Sequence, residues 1–306
     1  MRMPRFAAFP SKRPEPAMLP TMLYDALIQP FGEFAFMQRS LVACLALALG
    51  SAPIGAILML RRMSLFGEAM SHAILPGAAV GFLVAGFSLP AISLGGIVAG
   101  LVVAWAAGAA TRATDQREDA SFAAFYLIAL ALGVTLISTR GSSVDVMHIL
   151  FGSVLAVDEA ALLLLAGVAT LSLLVLAAVY RPLLMDAFEP DFQFGGAIYH
   201  FIFLGLVVVN LVAAFQALGS LMAVGLMMLP ALAARYWAQS LPGIMLLATA
   251  IGALAGYGGL LLSFHANLPS GPAIVLAAGG IYLLSLLFGR ARGLVQLLQR
   301  QPHLEA

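Results

Sequence analysis

Glu68 and His72 stand four residues apart inside Leu65–Ala85, an apolar stretch opened by Arg61 and Arg62. On a helix this spacing sets both side chains on one face, one turn apart. A carboxylate and an imidazole facing a shared cavity could bind a divalent cation such as zinc or manganese. An acid inside a membrane segment costs about 2.5–3.5 kcal/mol on insertion scales unless something compensates it. A second reading stays open, in which the two groups bond only to each other or to a neighbouring helix. Weaker candidates for the same chemistry are Asp145 with His148, at i, i+3, and His265, close to Asn267. The Asp145–His148 pair could equally be a solvated helix face. His200 reads as interfacial and His303 as solvated.

The elements that must position these residues are membrane helices. Of 306 residues, 62% are hydrophobic and 9% are charged. A soluble domain averages about 45–50% apolar and about 25% charged residues. The apolar runs are continuous rather than alternating, which argues for helices against a transmembrane barrel. The fold class is therefore all-α, a polytopic membrane protein. No basic run is present to grip phosphates, so nucleic acid is not an expected partner. The single cysteine, Cys44, excludes an intrachain disulfide and a cysteine-based zinc cluster, and reads as a packing residue. No G-x-x-x-x-G-K-[ST] sequence occurs, so the chain cannot hydrolyse ATP by that machinery. No nucleophile–base pair is evident, and Glu68-x-x-x-His72 is not the H-E-x-x-H of a metalloprotease. The chain reads as a transport subunit rather than an enzyme.

The expected spans are 40–60, 65–85, 92–110, 121–138, 160–179, 197–217, 218–237, 244–263 and 273–288. Each is near the 20 residues that a hydrocarbon core of about 30 Å requires. The seventh is expected to break at Gly225 and end at Pro230, which leaves the count at eight or nine. Residues 1–38 read as a basic tail followed by an interfacial segment, 39–290 as the membrane domain, and 291–306 as a cytoplasmic C-terminal tail. Arg61, Arg62, Arg112, Arg117, Arg181, Arg235, Arg290, Arg292 and Arg300 fall at alternate span ends, which places those ends in the cytoplasm, with Arg140 the lone exception among the loops. With nine spans the basic N-terminal tail then lies outside, unless residues 18–37 partly enter the membrane. Within the second span, Pro76 is expected to bend the helix. Gly77 and Gly81 offer a small-xxx-small face for close helix contact, and Ser64, Glu68 and Ser71 are expected on a water-accessible face.

Several motifs carry a family resemblance. Residues 61–77, RRMSLFGEAMSHAILPG, resemble the signature of the zinc/manganese permease family of ABC importers, with Glu68 where that family usually has Asp. Arg117-Glu118-Asp119 is similar to its charged turn, and residues 150–157 (LFGSVLAV) to its LFG-x-hydrophobic-LAV element. Residues 217–235 resemble its VGALL…LLVLPAATAR segment, and residues 268–275 its LPSGP-x-IV turn. The motifs occur in the family's order and cover most of the chain after about residue 40. The resemblance implies eight to nine transmembrane helices in the permease fold of vitamin B12/metal-chelate type importers. It also implies a homodimer in the bacterial inner (cytoplasmic) membrane. Implied partners are cytoplasmic ATP-binding subunits, which carry the ATP, and a periplasmic or lipid-anchored metal-binding protein. No cofactor is expected to stay bound. The transported ion is Zn2+ or Mn2+, with zinc favoured by Arg61–Ser64 and Phe66-Gly67. Manganese or iron(II) uptake, or an ATPase-independent secondary carrier, are the alternatives. Residues 184–192 (LMDAFEPDF), within a coupling segment at about 182–196, are similar to the family's SFDPEFA element. Asp186, Phe188, Glu189, Pro190, Asp191 and Phe192 would then dock on the ATPase. Physically, Phe188 and Phe192 at i, i+4 among acids suit a short amphipathic helix in a partner's groove, and a solvated loop is the alternative.

Overall fold

The computed structural model describes residues 24, 26–63, 65–86, 88–114, 118–138, 157–188, 198–291 and 293–299. A short α1 (Gln29–Glu33) leads into α2 (Ala35–Leu60). Next come α3 (Phe66–Ala73) and α4 (Leu75–Ala85), the two halves of one span. They are followed by α5 (Leu89–Ala113), α6 (Glu118–Ser138), α7 (Glu159–Phe188) and α8 (Ile198–Leu218). The chain continues through α9 (Ser220–Ala234), α10 (Leu241–Ala266), α11 (Ser270–Phe288) and a short α12 (Leu294–Gln299). Among the described residues, 7 helices are long and apolar enough to cross a membrane. Ala120–Leu136 of α6 and Ser220–Ala234 of α9 are shorter apolar helices that bring the architecture to the expected eight to nine.

Contacts between helix ends fix the direction of each crossing. Phe34, just before α2, meets Phe264 near the end of α10, with ring centroids 5.6 Å apart. The two helices are therefore antiparallel, and the Arg61 end of α2 lies with the start of α10. Tyr236, in the turn before α10, accepts the Ala291 N–H at 2.8 Å, which brings the end of α11 to the same side. Arg61 also reaches Leu183 on α7 and His200 on α8. Arg61, Arg235 and Arg290 thus gather at one end of the bundle, as the loop pattern requires. The N-terminal side of α2 lies at the opposite end. There Phe31 stacks on Tyr257 at 5.1 Å and the Tyr257 hydroxyl donates to Leu27 O at 2.9 Å. Tyr257 lies about 13 Å inside the end of α10. The segment before α2 therefore both starts opposite Arg61 and runs alongside the bundle.

The expected break in the seventh span does not occur. α9 is continuous through Gly225 and carries Pro230 inside it, buried against the rest of the bundle. It must cross, because α8 starts at the Arg61 end and α10 starts there too. At 15 residues it is only about 22 Å long, short of the hydrocarbon core. Lipid offers no hydrogen bonds, so an unwound stretch would strand backbone groups, and Gly and Pro are kept inside helices. Pro53 in α2 and Pro182 in α7 are further cases. α7 is also longer than the fifth span expected from the sequence. It continues as helix from Tyr180 to Phe188, where a polar connector was expected.

Close backbone approach holds the bundle together where hydrophobicity cannot discriminate protein from lipid. A Cβ on Gly77 of α4 would strike the Gly95 carbonyl of α5, and a Cβ on Gly95 would strike that of Gly77. Gly81 meets Ala91 in the same way, so the expected small-residue face is the α4–α5 contact. Gly55 of α2 meets the Met227 carbonyl of α9 equally closely. Substituting Gly95→Val should lower stability by at least about 1–3 kcal/mol, because backbone rather than a side chain must yield. Gly279→Val, where no atom lies within 4 Å, should change it by less than about 0.5 kcal/mol. Thermal unfolding of the detergent-solubilised protein distinguishes the two.

Candidate functional site

The site rests on α3, an eight-residue helix between a tight turn and a break. Glu68 lies in its first turn and His72 in its last, which places each charge type at the helix end whose dipole favours it. The His72 Nε2–H donates to Glu68 Oε1 at 3.3 Å, so the i, i+4 spacing does bring the pair together. The Glu68 side chain is 60% exposed in the single chain and that of His72 is 30% exposed. Both sit within about 9 Å of the span's arginine end, away from the bilayer centre where a charge costs most.

Three neighbours hold the helix behind this open face. The Phe66 ring meets Phe122 of α6 edge-on at 4.6 Å. Tyr126, one turn further along α6, stacks on the His72 ring with centroids 6.3 Å apart. Met227 of α9 covers Gly67, where a Cβ would come within 2.6 Å of its Cε. Met70 and Ala73 are fully buried beneath. Tyr126 and Met227 were not singled out from the sequence. Each lies on another helix, and only the fold brings it to α3. His72 Nδ1 is buried and has no hydrogen-bond partner. In the tautomer that donates from Nε2, this atom is an unused acceptor, which costs less than an orphan N–H.

Ser71 is not on the open face. It is buried, and its hydroxyl donates to the Glu68 carbonyl at 2.8 Å. One residue before His72, it points about 100° away around the helix. The bend expected at Pro76 falls at Ile74, between α3 and α4. Proline at position 76 has no N–H for the carbonyl four residues back, which is that of His72. The chain bridges the break through Ile74 N–H to Met70 O at 3.2 Å and Ala78 N–H to Ile74 O at 3.0 Å. Gly96 of α5 makes room for Ile74, and Gly133 of α6 makes room for Pro76.

Of the weaker candidates, His265 does not join this pair. His265 lies at the end of α10, opposite the Arg61 end, and its Nδ1–H donates to Leu261 O at 2.9 Å. Asn267 beside it is a helix C-cap with φ 51° and ψ 39°. Asn tolerates this left-handed conformation better than most residues. Asp145 and His148 lie outside the described residues, as do Glu189, Pro190, Asp191 and Phe192. Asp186 and Phe188 fall in the last turn of α7. Among the described residues, no group of three or more His, Cys, Asp or Glu side chains comes together to hold a metal. His200 is not merely interfacial, since its ring takes a hydrogen bond from Arg61.

Residues 33–289 match the ABC 3 transport family. The chain is 35% identical over 258 residues to the "Manganese import system permease protein ScaB" of Streptococcus parasanguinis, covering 83% of this chain and 90% of that protein. It is 30% identical over 280 residues to the "Manganese transport system membrane protein MntC" of Halalkalibacterium halodurans, covering 90% and 93%. It is also 30% identical over 287 residues to the "Zinc transport system membrane protein TroC" of Treponema pallidum, covering 90% and 96%. Among solved structures, PsaBC from Streptococcus pneumoniae, in complex with Fab, superposes with a TM-score of 0.78 at 30% identity, over 89% of this chain and 98% of that one.

Exposure on α3 gives a direct test. In a Cys44→Ala background, Glu68→Cys should react with a small polar thiol reagent at least about tenfold faster than Ser71→Cys, whose side chain points into the bundle. Mass spectrometry of the labelled protein reads both rates. Equal rates would mean that α3 does not present the face seen here.

Proposed function

The chain belongs to the ABC 3 transport family, and on that premise we propose that it is the permease subunit of an ATP-driven importer of manganese or zinc ions. The observation that carries the reading is the Glu68–His72 pair, an ion-binding combination on an otherwise apolar span, open on one side and backed by α6 and α9. Carboxylate and imidazole together suit both ions, so selectivity between them depends on geometry and supply. Relatives named for manganese and relatives named for zinc both support the class. The zinc preference suggested by the signature's first residues is shared by one of the relatives reported above, whereas two are named for manganese, which favours manganese as the cargo.

One pair supplies two donors, too few to enclose an ion. A second copy related by a two-fold axis would bring another Glu68 and His72 and make a four-donor set. The open face of α3 would then line the cavity between copies rather than meet lipid. When an ion takes the Nε2 lone pair, the His72 proton must move to Nδ1, which is buried without an acceptor. Leaving that N–H unsatisfied costs about 1–3 kcal/mol. That penalty keeps the ion's hold modest, as a conduction site requires.

The remaining parts of the machine are supplied by partners. Two cytoplasmic ATP-binding subunits would hydrolyse the ATP, docking at the end of α7 and the connector that follows it through Asp186, Phe188, Glu189, Pro190, Asp191 and Phe192. A periplasmic or lipid-anchored metal-binding protein would deliver the ion to the end opposite Arg61, across the bacterial cytoplasmic membrane.

Glu68→Gln and His72→Ala should each reduce Mn2+ or Zn2+ uptake into vesicles by at least about tenfold, no less than the loss seen when even the hydrogen-bond partners of metal ligands are removed, with assembly unchanged. Normal uptake in either variant would remove the pair from the pathway. Phe188→Asp and Phe192→Asp should abolish pull-down of the ATP-binding subunit while membrane insertion persists. Retained pull-down in both would return the connector to an ordinary loop.

A further inference from the structure

We infer that Arg61 is a positioning residue that transmits movement of the facing ends of α7 and α8 to the helix bearing Glu68 and His72. This inference rests on the importer reading above. Arg61 caps the end of α2 in a turn closed by two backbone bonds, Arg62 N–H to Met59 O at 3.2 Å and Met63 N–H to Leu58 O at 2.9 Å. This is the arrangement that usually ends on a left-handed glycine. Here the left-handed position is held by Arg62, with φ 59°, at a cost of about 1–2 kcal/mol for a residue with a side chain. Met63 is buried and pins the far side of the turn. The backbone is therefore stiff where Arg61 leaves it, and α3 begins directly beyond.

The guanidinium reaches both roots of the connector at once. Its Nη1–H donates to His200 Nδ1 at 3.1 Å, in the first turn of α8. Its Nη2–H donates to the Leu183 carbonyl at 3.4 Å, in the last two turns of α7. Its Cζ stands 5.0 Å from the centroid of the Phe203 ring, which is fully buried. Leu183 is also buried. A guanidinium only donates, so His200 presents the Nδ1 lone pair and carries its proton on Nε2. One planar cation thus ties α2, α7 and α8 at a point from which the metal helix departs. A lysine ammonium has no fork and no flat face. It cannot hold an imidazole, a carbonyl and a ring face together.

The linkage predicts a change in coupling rather than in assembly. The measurement is Mn2+ and Zn2+ uptake per ATP hydrolysed, in proteoliposomes holding the full complex with its ATP-binding subunits and binding protein. Arg61→Lys and His200→Leu should lower this ratio at least about fivefold while ATP hydrolysis persists. His200→Asn, whose side-chain oxygen can stand where Nδ1 accepts, should keep at least half of it. Uptake and hydrolysis falling together, with the ratio unmoved, would reduce Arg61 to a structural tie and overturn the inference. If Arg61→Lys fails to assemble, His200→Leu and Phe203→Leu decide the matter, and an unchanged ratio in both is equally negative. A wild-type complex that moves neither ion would defeat the importer reading itself. Wild-type transport with unaltered ratios in the variants would defeat the Arg61 linkage alone.

Discussion

Lipid cannot hydrogen-bond a peptide group, and most of this structure follows from that. Each N–H and C=O in the membrane must find its partner within the same helix. This is why α9 stays helical through Gly225 and Pro230, and why Pro53 and Pro182 lie inside helices. A span can be interrupted only where neighbours close around the gap. The interruption at Ile74 meets that condition, with α5 and α6 each yielding a glycine to it. It falls two residues after His72. The proline that causes it thus also ends the helix that carries the candidate ligands.

The same solvent removes the usual drive for helices to associate. What replaces it is contact between backbones, made possible by missing side chains. The Gly77–Gly95 and Gly55–Met227 contacts leave no clearance for a Cβ. They therefore fix α4 on α5 and α2 on α9. Between these fixed pairs, α3 is short and bounded by the turn at Arg62 and the break at Ile74. Its inner face is held by single rings and one thioether rather than by backbone contact. Such an element can shift against its neighbours without separating them.

Much of this is legible in the sequence because the signals are one-dimensional. Apolar runs mark spans, arginines mark one end of the bundle, and a four-residue separation marks the Glu68–His72 face. Small residues four apart mark the α4–α5 contact. The rest depends on depth or on partners from distant parts of the chain. Gly225 and Pro230 read as breakers by rules learned in water, and lipid reverses the outcome. The helix beyond Tyr180 was hidden because its polar residues resemble a loop once the apolar run ends. Ser71 looked accessible because it is polar, yet its hydroxyl is satisfied by the Glu68 carbonyl within the helix. Tyr126 and His200 matter through contacts with residues 54 and 139 positions away, and no local pattern announces them.

The incompleteness of the Glu68–His72 pair is itself informative on the proposed reading. A site that keeps its ion surrounds it with four ligands, and each imidazole is anchored by a partner on its second nitrogen. Here one chain contributes two candidate ligands, one of them largely exposed, and the second imidazole nitrogen has no partner. Each departure weakens the hold on a cation. Together, on that reading, they fit a site that a second copy would complete and that is never fully anchored. The break beside His72 points the same way. A helix that ends just past its ligand can turn that ligand without carrying the rest of the span, so access can change while the Gly77–Gly95 contact stays fixed. An open donor pair, an unpartnered imidazole nitrogen and a break two residues past His72 are three separate features of α3. On the proposed reading, all three would serve passage of an ion rather than its retention.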